Sequence, residues 1–303
     1  MLIKCNSIII KIFKIFLFII FFLISNLTVP ADYEFPKCPL KFYWPETVKI
    51  KTLPVIAPAN DKYLPYLGFP WDITKEGNVI MASDIGFLKW ENGWLKSISL
   101  INNVKGIDDI CIKTNDEFVI IADGKLGYIK DLKFIPQLDL PGKKMKVKMN
   151  KDNSLYLWSN LKKDVYFLKN YSADGKVKAD SMRILKLFHG DKRIVSVSGD
   201  GDKTFIVVGK NIVGLKWGEK PILFYHHKDE IKSIAYEKGN LVFYSTDNNV
   251  GFIYNNKAYD FISGGSGELK LYNSILYINF KDIGWLIKIE VEKFYNITKT
   301  LEK

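Results

Sequence analysis

Five aspartates, Asp84, Asp123, Asp164, Asp247 and Asp282, recur at similar points beside short apolar runs. Carboxylates gathered into a ring hold a cation, and a close pair of them does general acid/base work. Aspartate is also what a hairpin turn selects, because its side chain bonds nearby backbone and it tolerates positive φ. Turn chemistry is the first reading, and the five stand as candidate binding residues on one rim. His226 and His227 are weaker candidates. Adjacent histidines on a strand point to opposite sides, whereas a metal needs ligands converging from several places. The stretch Tyr225-His226-His227-Lys228-Asp229-Glu230 therefore reads first as a solvated link, and His189 reads the same way. No Ser or Cys nucleophile motif and no Gly-rich phosphate loop is present. No catalytic residue, metal ligand or cofactor is assigned.

Two cysteines, Cys38 and Cys111, follow an N-terminal segment that contains the third, Cys5. In an oxidising compartment the pair can form one bridge; two unrelated buried thiols are the alternative. Export is the expectation. Lys4, Lys11 and Lys14 lead into ten apolar residues, Ile15–Ile24, and Val29 and Ala31 frame a small-x-small exit. That is a secretory signal over residues 1–31, giving a periplasmic or secreted protein. The alternative is an uncleaved anchor, although ten clean residues fall short of the roughly 20 that span a bilayer. The chain carries 44 Lys+Arg against 33 Asp+Glu, for a net charge of +11. Removing three leader lysines leaves 41 against 33, or +8. The excess is mostly lysine, with a cluster at Lys143-Lys144-Met145-Lys146-Val147-Lys148. Alternation puts Lys144, Lys146 and Lys148 on one strand face. A solvated edge is the plain reading, and an anionic envelope surface or acidic partner is the functional one. Nucleic acid does not fit an exported protein.

The elements that would position these residues repeat. A β-rich run, a polar turn, a second run and a Gly-aromatic-aliphatic third run recur six times over residues 67–297. The anchors are Gly86, Gly127, Asp164, Gly214, Gly251 and Gly284, spaced 41, 37, 50, 37 and 33 residues apart. A period near 40 with about four strands per copy marks propeller blades rather than helical solenoids. The fifth copy reads as four strands, Ile231–Tyr236, Leu241–Ser245, Val250–Tyr254 and Lys257–Phe261, joined by Gly-, Asn- and Asp-rich turns. The fold class is all-β, a β-propeller over 67–303, most simply six blades of four antiparallel strands, with five or seven as alternatives. Residues 32–66 form an extension in which Thr47–Thr52 is expected to close the ring; closure at Lys293–Asn296 is the alternative. The 50-residue step implies an insertion near 170–192.

These copies resemble the repeats of bacterial β-propellers in the broad WD-like, quinoprotein-like and sensor-propeller group. No Trp-Asp dipeptide closes any copy. Ser198, Asp200, Thr204 and Phe205 also resemble the Asp-box of sialidase-type propellers, where the box is a structural turn. Asp202 stands in its Gly position. Sialidases clamp a carboxylate with three arginines, and this chain has two, Arg183 and Arg193. The resemblance implies fold and leaves function open, since propellers host unrelated activities. The expectation is a monomeric, exported, non-catalytic propeller binding an envelope or secreted protein, or a glycan, through one rim. Membrane contact would come only through an uncleaved leader. The alternative is a propeller enzyme, of hydrolase or lyase type, acting on a sugar or lactone with carboxylates facing the axis.

Overall fold

Val, Ile and aromatic residues dominate the short runs, and in the computed structural model these runs are strands. The structure describes residues 37–43, 51–54 and 69–301, except 84–85, 92–93, 102–103, 105, 114–116, 151, 170, 172–182, 201, 217 and 237–240. The expected leader, Thr47–Ile50, Asp84 and most of the expected insertion lie outside the described residues.

Two N-terminal strands come first, β1 (Lys41–Phe42) and β2 (Lys51–Pro54). Blade 1 follows as β3 (Trp71–Ile73), β4 (Val79–Ser83), β5 (Gly86–Glu91) and β6 (Trp94–Leu100). Blade 2 holds β7 (Ile107–Ile112), β8 (Phe118–Ala122), β9 (Lys125–Lys130) and β10 (Lys133–Asp139). Blade 3 holds β11 (Met145–Met149), β12 (Leu155–Ser159), β13 (Asp164–Leu168) and β14 (Ile184–His189). Blade 4 holds β15 (Ile194–Gly199), β16 (Lys203–Val208), β17 (Asn211–Lys216) and β18 (Ile222–His226). Blade 5 holds β19 (Ser233–Ala235), β20 (Val242–Ser245), β21 (Asn249–Tyr254) and β22 (Lys257–Ser263). Blade 6 holds β23 (Glu268–Tyr272), β24 (Ile275–Phe280) and β25 (Trp285–Glu290), and α1 (Glu292–Leu301) ends the described chain. Each blade is an antiparallel meander, and the whole is a six-bladed β-propeller.

One such sheet cannot bury both its faces, so the core is divided among the seams between blades. Six buried apolar clusters occupy the six seams. Second strands, flanked on both faces, are mostly apolar and deeply buried: every residue of Val79–Ser83, Leu155–Ser159 and Val242–Ser245 is buried. Outer strands such as β14 and β18 lie open to solvent. The hairpins use the expected chemistry. Asp123-Gly124 and Asn255-Asn256 turn in two residues with both φ angles positive, which matches strand twist.

Ring closure uses an N-terminal strand, as expected, but at a shifted position. β2 pairs antiparallel with β25 from Lys51↔Lys288 to Pro54↔Trp285, becoming the fourth strand of blade 6. The expected segment Thr47–Thr52 overlaps it by two residues. Lys293–Asn296 does not close the ring; it lies in α1, whose Phe294 packs against Phe243, Phe252 and Phe261 with ring centroids 4.7, 5.5 and 5.0 Å away. β1 adds a fifth strand to blade 5 by pairing with β22. The Cys38–Cys111 bridge is not formed. Both thiols are free, because Cys38 leads into β1 and packs at the seam of blades 5 and 6, while Cys111 is buried at the seam of blades 2 and 3.

Candidate functional site

The innermost strand of each blade leaves one edge unpaired toward the axis, and an uncapped N–H there is costly once shielded from water. The propeller caps these edges from blade to blade. Asp72 Oδ2 accepts from Ile112 N at 2.7 Å, and Asp109 Oδ2 from Val147 N at 2.8 Å. Ser196 Oγ accepts from Ile234 N at 3.2 Å, and Ser233 Oγ from Leu269 N at 3.0 Å. With Lys146 and Lys270 these residues occupy one equivalent position in all six blades, spaced 37, 37, 50, 37 and 37 residues apart. They ring a channel of ≈ 880 Å³ along the axis.

The ring has a charged side and a hydroxyl side. Lys270 Nζ donates to the Trp71 carbonyl at 2.5 Å and lies 3.1 Å from Asp72 Oδ1 and 5.2 Å from the Trp71 ring centroid. Burial disfavours its charge, yet Asp72, Asp109 and Glu268 outweigh burial and hold the ammonium above the usual lysine range. Lys146 lies 3.8 Å from Asp109, whose charge holds it protonated. Burial pushes the Asp109 carboxyl up, against the opposing pull of Lys146 and Lys270. Burial likewise acts to raise Glu268, but Lys281, in direct ion pairing, together with Lys146 and Lys270 brings it down to about 2. Asp72, Asp109 and Glu268 thus share the channel with Lys146, Lys270 and Lys281, and each of these three acids is engaged by backbone or by a lysine; Asp200 and Asp282 also line the channel. Among the described residues no three His, Cys, Asp or Glu side chains gather as a metal site would need.

At one end of the channel, where first strands pass into second strands, Asn150, Asn153, Tyr272, Asn273, Lys75 and Lys148 form its mouth. Asn150 Nδ2 donates to Ser154 Oγ, while its buried Oδ1 has no hydrogen-bond partner among the described residues. At the opposite end lie the turns between second and third strands.

That opposite end is where the structure puts the described sequence candidates, with the four aspartates on separate blades and the two histidines together at the end of blade 4. Asp123 is exposed in the β8–β9 turn. Asp164 bonds Lys186 at 2.8 Å and His189 at 2.7 Å, and these two contacts overcome burial to lower its pKa. Asp247 is exposed and pairs with Lys232 at 3.3 Å. Asp282 alone among them lines the channel. His226, exposed, bonds Asn211 Oδ1 at 2.7 Å. His227 is not in a solvated link: it is buried, takes the Asp229 N–H at 2.9 Å and packs 4.8 Å from the Tyr244 ring. The Asp-box-like stretch is a turn, in which Asp200 Oδ1 accepts from Asp202 N and Lys203 N. Sequence reasoning misses the axial ring, whose signal there is spacing: it repeats the 37, 50, 37 steps of the Gly anchors.

No family model and no curated protein matches the sequence. Solved propellers share the fold. A streptogramin B lyase superposes with a TM-score of 0.56 at 11% identity, over 79% of this chain and 98% of that one. A gluconolactonase from Xanthomonas campestris gives 0.53 at 10% identity, over 82% and 100%. An auxiliary nutrient binding protein from Bacteroides thetaiotaomicron gives 0.55 at 9% identity, over 80% and 76%. The neighbours thus include enzymes and binding proteins, and at these identities they share architecture.

Proposed function

We propose that the protein is an exported, non-catalytic propeller that binds a protein or glycan partner at the rim around its Asn- and Tyr-lined channel mouth. The observation that carries this reading is the engagement of the axial carboxylates. Asp72, Asp109 and Glu268 are each committed to blade-to-blade bonds or to a lysine, so none is held ready as a free acid or base. The mouth instead offers amide, phenol and ammonium groups, which suit hydroxyl or peptide ligands, and among the described residues the buried Asn150 Oδ1 behind them has no hydrogen-bond partner. Capture of a specific partner from an envelope extract by the full chain, lost in Asn150→Ala together with Lys148→Ala, is the expected result. Capture at background level in repeated extracts overturns the reading.

One observation favours a second reading. The paired, perturbed groups at the axis, Asp109 with Lys146 and Glu268 with Lys281 and Lys270, are the kind of cluster that active sites build. A propeller enzyme acting on a sugar or lactone would lose turnover in Asp109→Asn while still capturing ligand.

A further inference from the structure

The end of the ring opposite the channel mouth concentrates positive charge on blades 3 and 4. The β10–β11 connection presents Lys143 and Lys144, the β12–β13 turn Lys162 and Lys163, and the β14–β15 connection Lys192 and Arg193, all exposed. Lys210 in the β16–β17 turn adds a seventh cation, and across residues 140–144, 159–163, 190–193 and 209–210 the sole acid is Asp191. These loops touch one another. Ser159 Oγ donates to the Lys143 carbonyl at 3.0 Å, the Lys162 carbonyl accepts from Ile194 N at 2.9 Å, and the Lys192 stem lies against Gly209. Among the described residues Lys143, Lys144, Lys162, Lys163, Lys192 and Arg193 form no ion pair and all are exposed, while Asp108 at the same end feels the charge of Lys144.

We infer that this basic end docks the propeller on an anionic phospholipid surface. Three features favour a bilayer over a folded partner. The cations are almost all lysines, point charges on flexible stems that suit a diffuse field of headgroups more than bidentate recognition. Leu161, 54% exposed beside Lys162 and Lys163, gives the crest an apolar side chain able to enter the headgroup boundary. The chain also joins the ring at this end. Lys41 pairs with Ser263 at the close of β22, and Pro39 and Leu40 lie beside Gly264 in a connection of the same kind as those bearing the lysines. A leader retained as an anchor would thus enter the ring from this face. With that face down, the channel mouth points away from the bilayer.

The test is flotation of the full chain with vesicles of phosphatidylcholine alone or of phosphatidylcholine with phosphatidylglycerol. The leader contributes equally to both, so the difference reads the patch. The wild type should favour the anionic vesicles, and the preference should fade as salt shortens the screening length to about 8 Å and below. Each lysine near such a surface contributes about fivefold, so K143E/K144E/K162E/K163E should abolish the preference. A control with the same charge change at the other end, K130E/K133E/K220E/K257E, should keep it; matching melting curves would show that both variants fold. Equal partitioning of the wild type between the two vesicles, or equal loss in both variants, overturns the inference. Patch-dependent retention on heparin without a vesicle preference assigns the patch to a soluble polyanion and overturns it too.

Discussion

The seam between blades 6 and 1 and the seam between blades 4 and 5 solve the same packing problem with different chemistry. Between blades 4 and 5 the chain is continuous, and neutral groups suffice. Ser196 and Ser198 cap Ile234 N and Tyr236 N, at 3.2 and 2.9 Å, while Tyr236 meets Phe205 edge-on. Between blades 6 and 1 the two ends of the propeller meet, and cations reach across. Lys270 clamps the Trp71 carbonyl and Asp72, and Lys288 donates to the Gly77 carbonyl at 3.2 Å while lying over the Trp90 and Tyr277 rings. Gly77 serves there because its φ of +76° turns the carbonyl toward blade 6, and a side chain would meet the Tyr277 hydroxyl. The blade 4–5 seam is held by neutral caps and the closing seam by cations, although charge is not confined to closure, since Asp109 and Lys146 pair across the continuous seam of blades 2 and 3.

The largest effect should come from removing the closing strand. Deleting residues 32–60 takes away β1 and β2 and bares the edges of β22 and of β25, whose Leu286, Ile287 and Ile289 sit in the core. An unpaired edge over a buried strand templates aggregation, and each such side chain contributes about 1.5–3 kcal/mol when buried. Against a typical net stability of about 5–15 kcal/mol, the whole ring should melt early or aggregate. An unchanged melting curve would mean that blade 6 holds with three strands and that closure is not where the reinforcement matters.

A smaller but sharper contrast comes from single side chains. Lys270→Met leaves Asp72 without its cation while only 16% of that side chain is exposed. Breaking such a pair typically costs about 3–5 kcal/mol, and the double change with Asp72→Asn should recover much of it. On the continuous seam, Ser196→Ala removes one neutral cap and should cost about 1 kcal/mol. Urea midpoints compare the two directly. Equal losses at both seams would dissolve the distinction between a clamped seam and a capped one.

Much of this architecture is legible in the amino-acid sequence. The Gly anchors and their spacing give six blades, and Asn255-Asn256 announces its hairpin by residue type alone. The axial ring is harder to see because its six positions hold Asp, Asp, Lys, Ser, Ser and Lys. What unites them is a place in the repeat and a shared task of capping or bridging at inner-strand edges, which several chemistries perform. β1 is two residues long and offers no period to detect. His227 shows a further limit. Its polar neighbours suggest solvent, yet the chain folds its ring against Tyr244, a contact 17 positions away that spacing alone does not foretell.

The charged side of the axis should also answer to acid in a way the hydroxyl side does not. Glu268, held at about 2 when folded, returns to an ordinary carboxylate value near 4.5 when the chain unfolds. A folded value below the unfolded one means that its stabilisation is complete above about pH 4.5 and is lost as pH falls toward 2. With 29% of the side chain still open to water, screening reduces the contribution to about 1–2 kcal/mol. Glu268→Gln should therefore destabilise the protein at neutral pH and flatten the loss of stability between pH 4.5 and 2. Ser233→Ala, which removes the cap on the neighbouring Leu269 N–H, should shift the whole curve down without changing its slope. If Glu268→Gln leaves the acid slope intact, the lysines around the axis are not what holds that carboxylate ionised, and the reinforcement of the charged side lies in the Asp72–Lys270 and Asp109–Lys146 pairs.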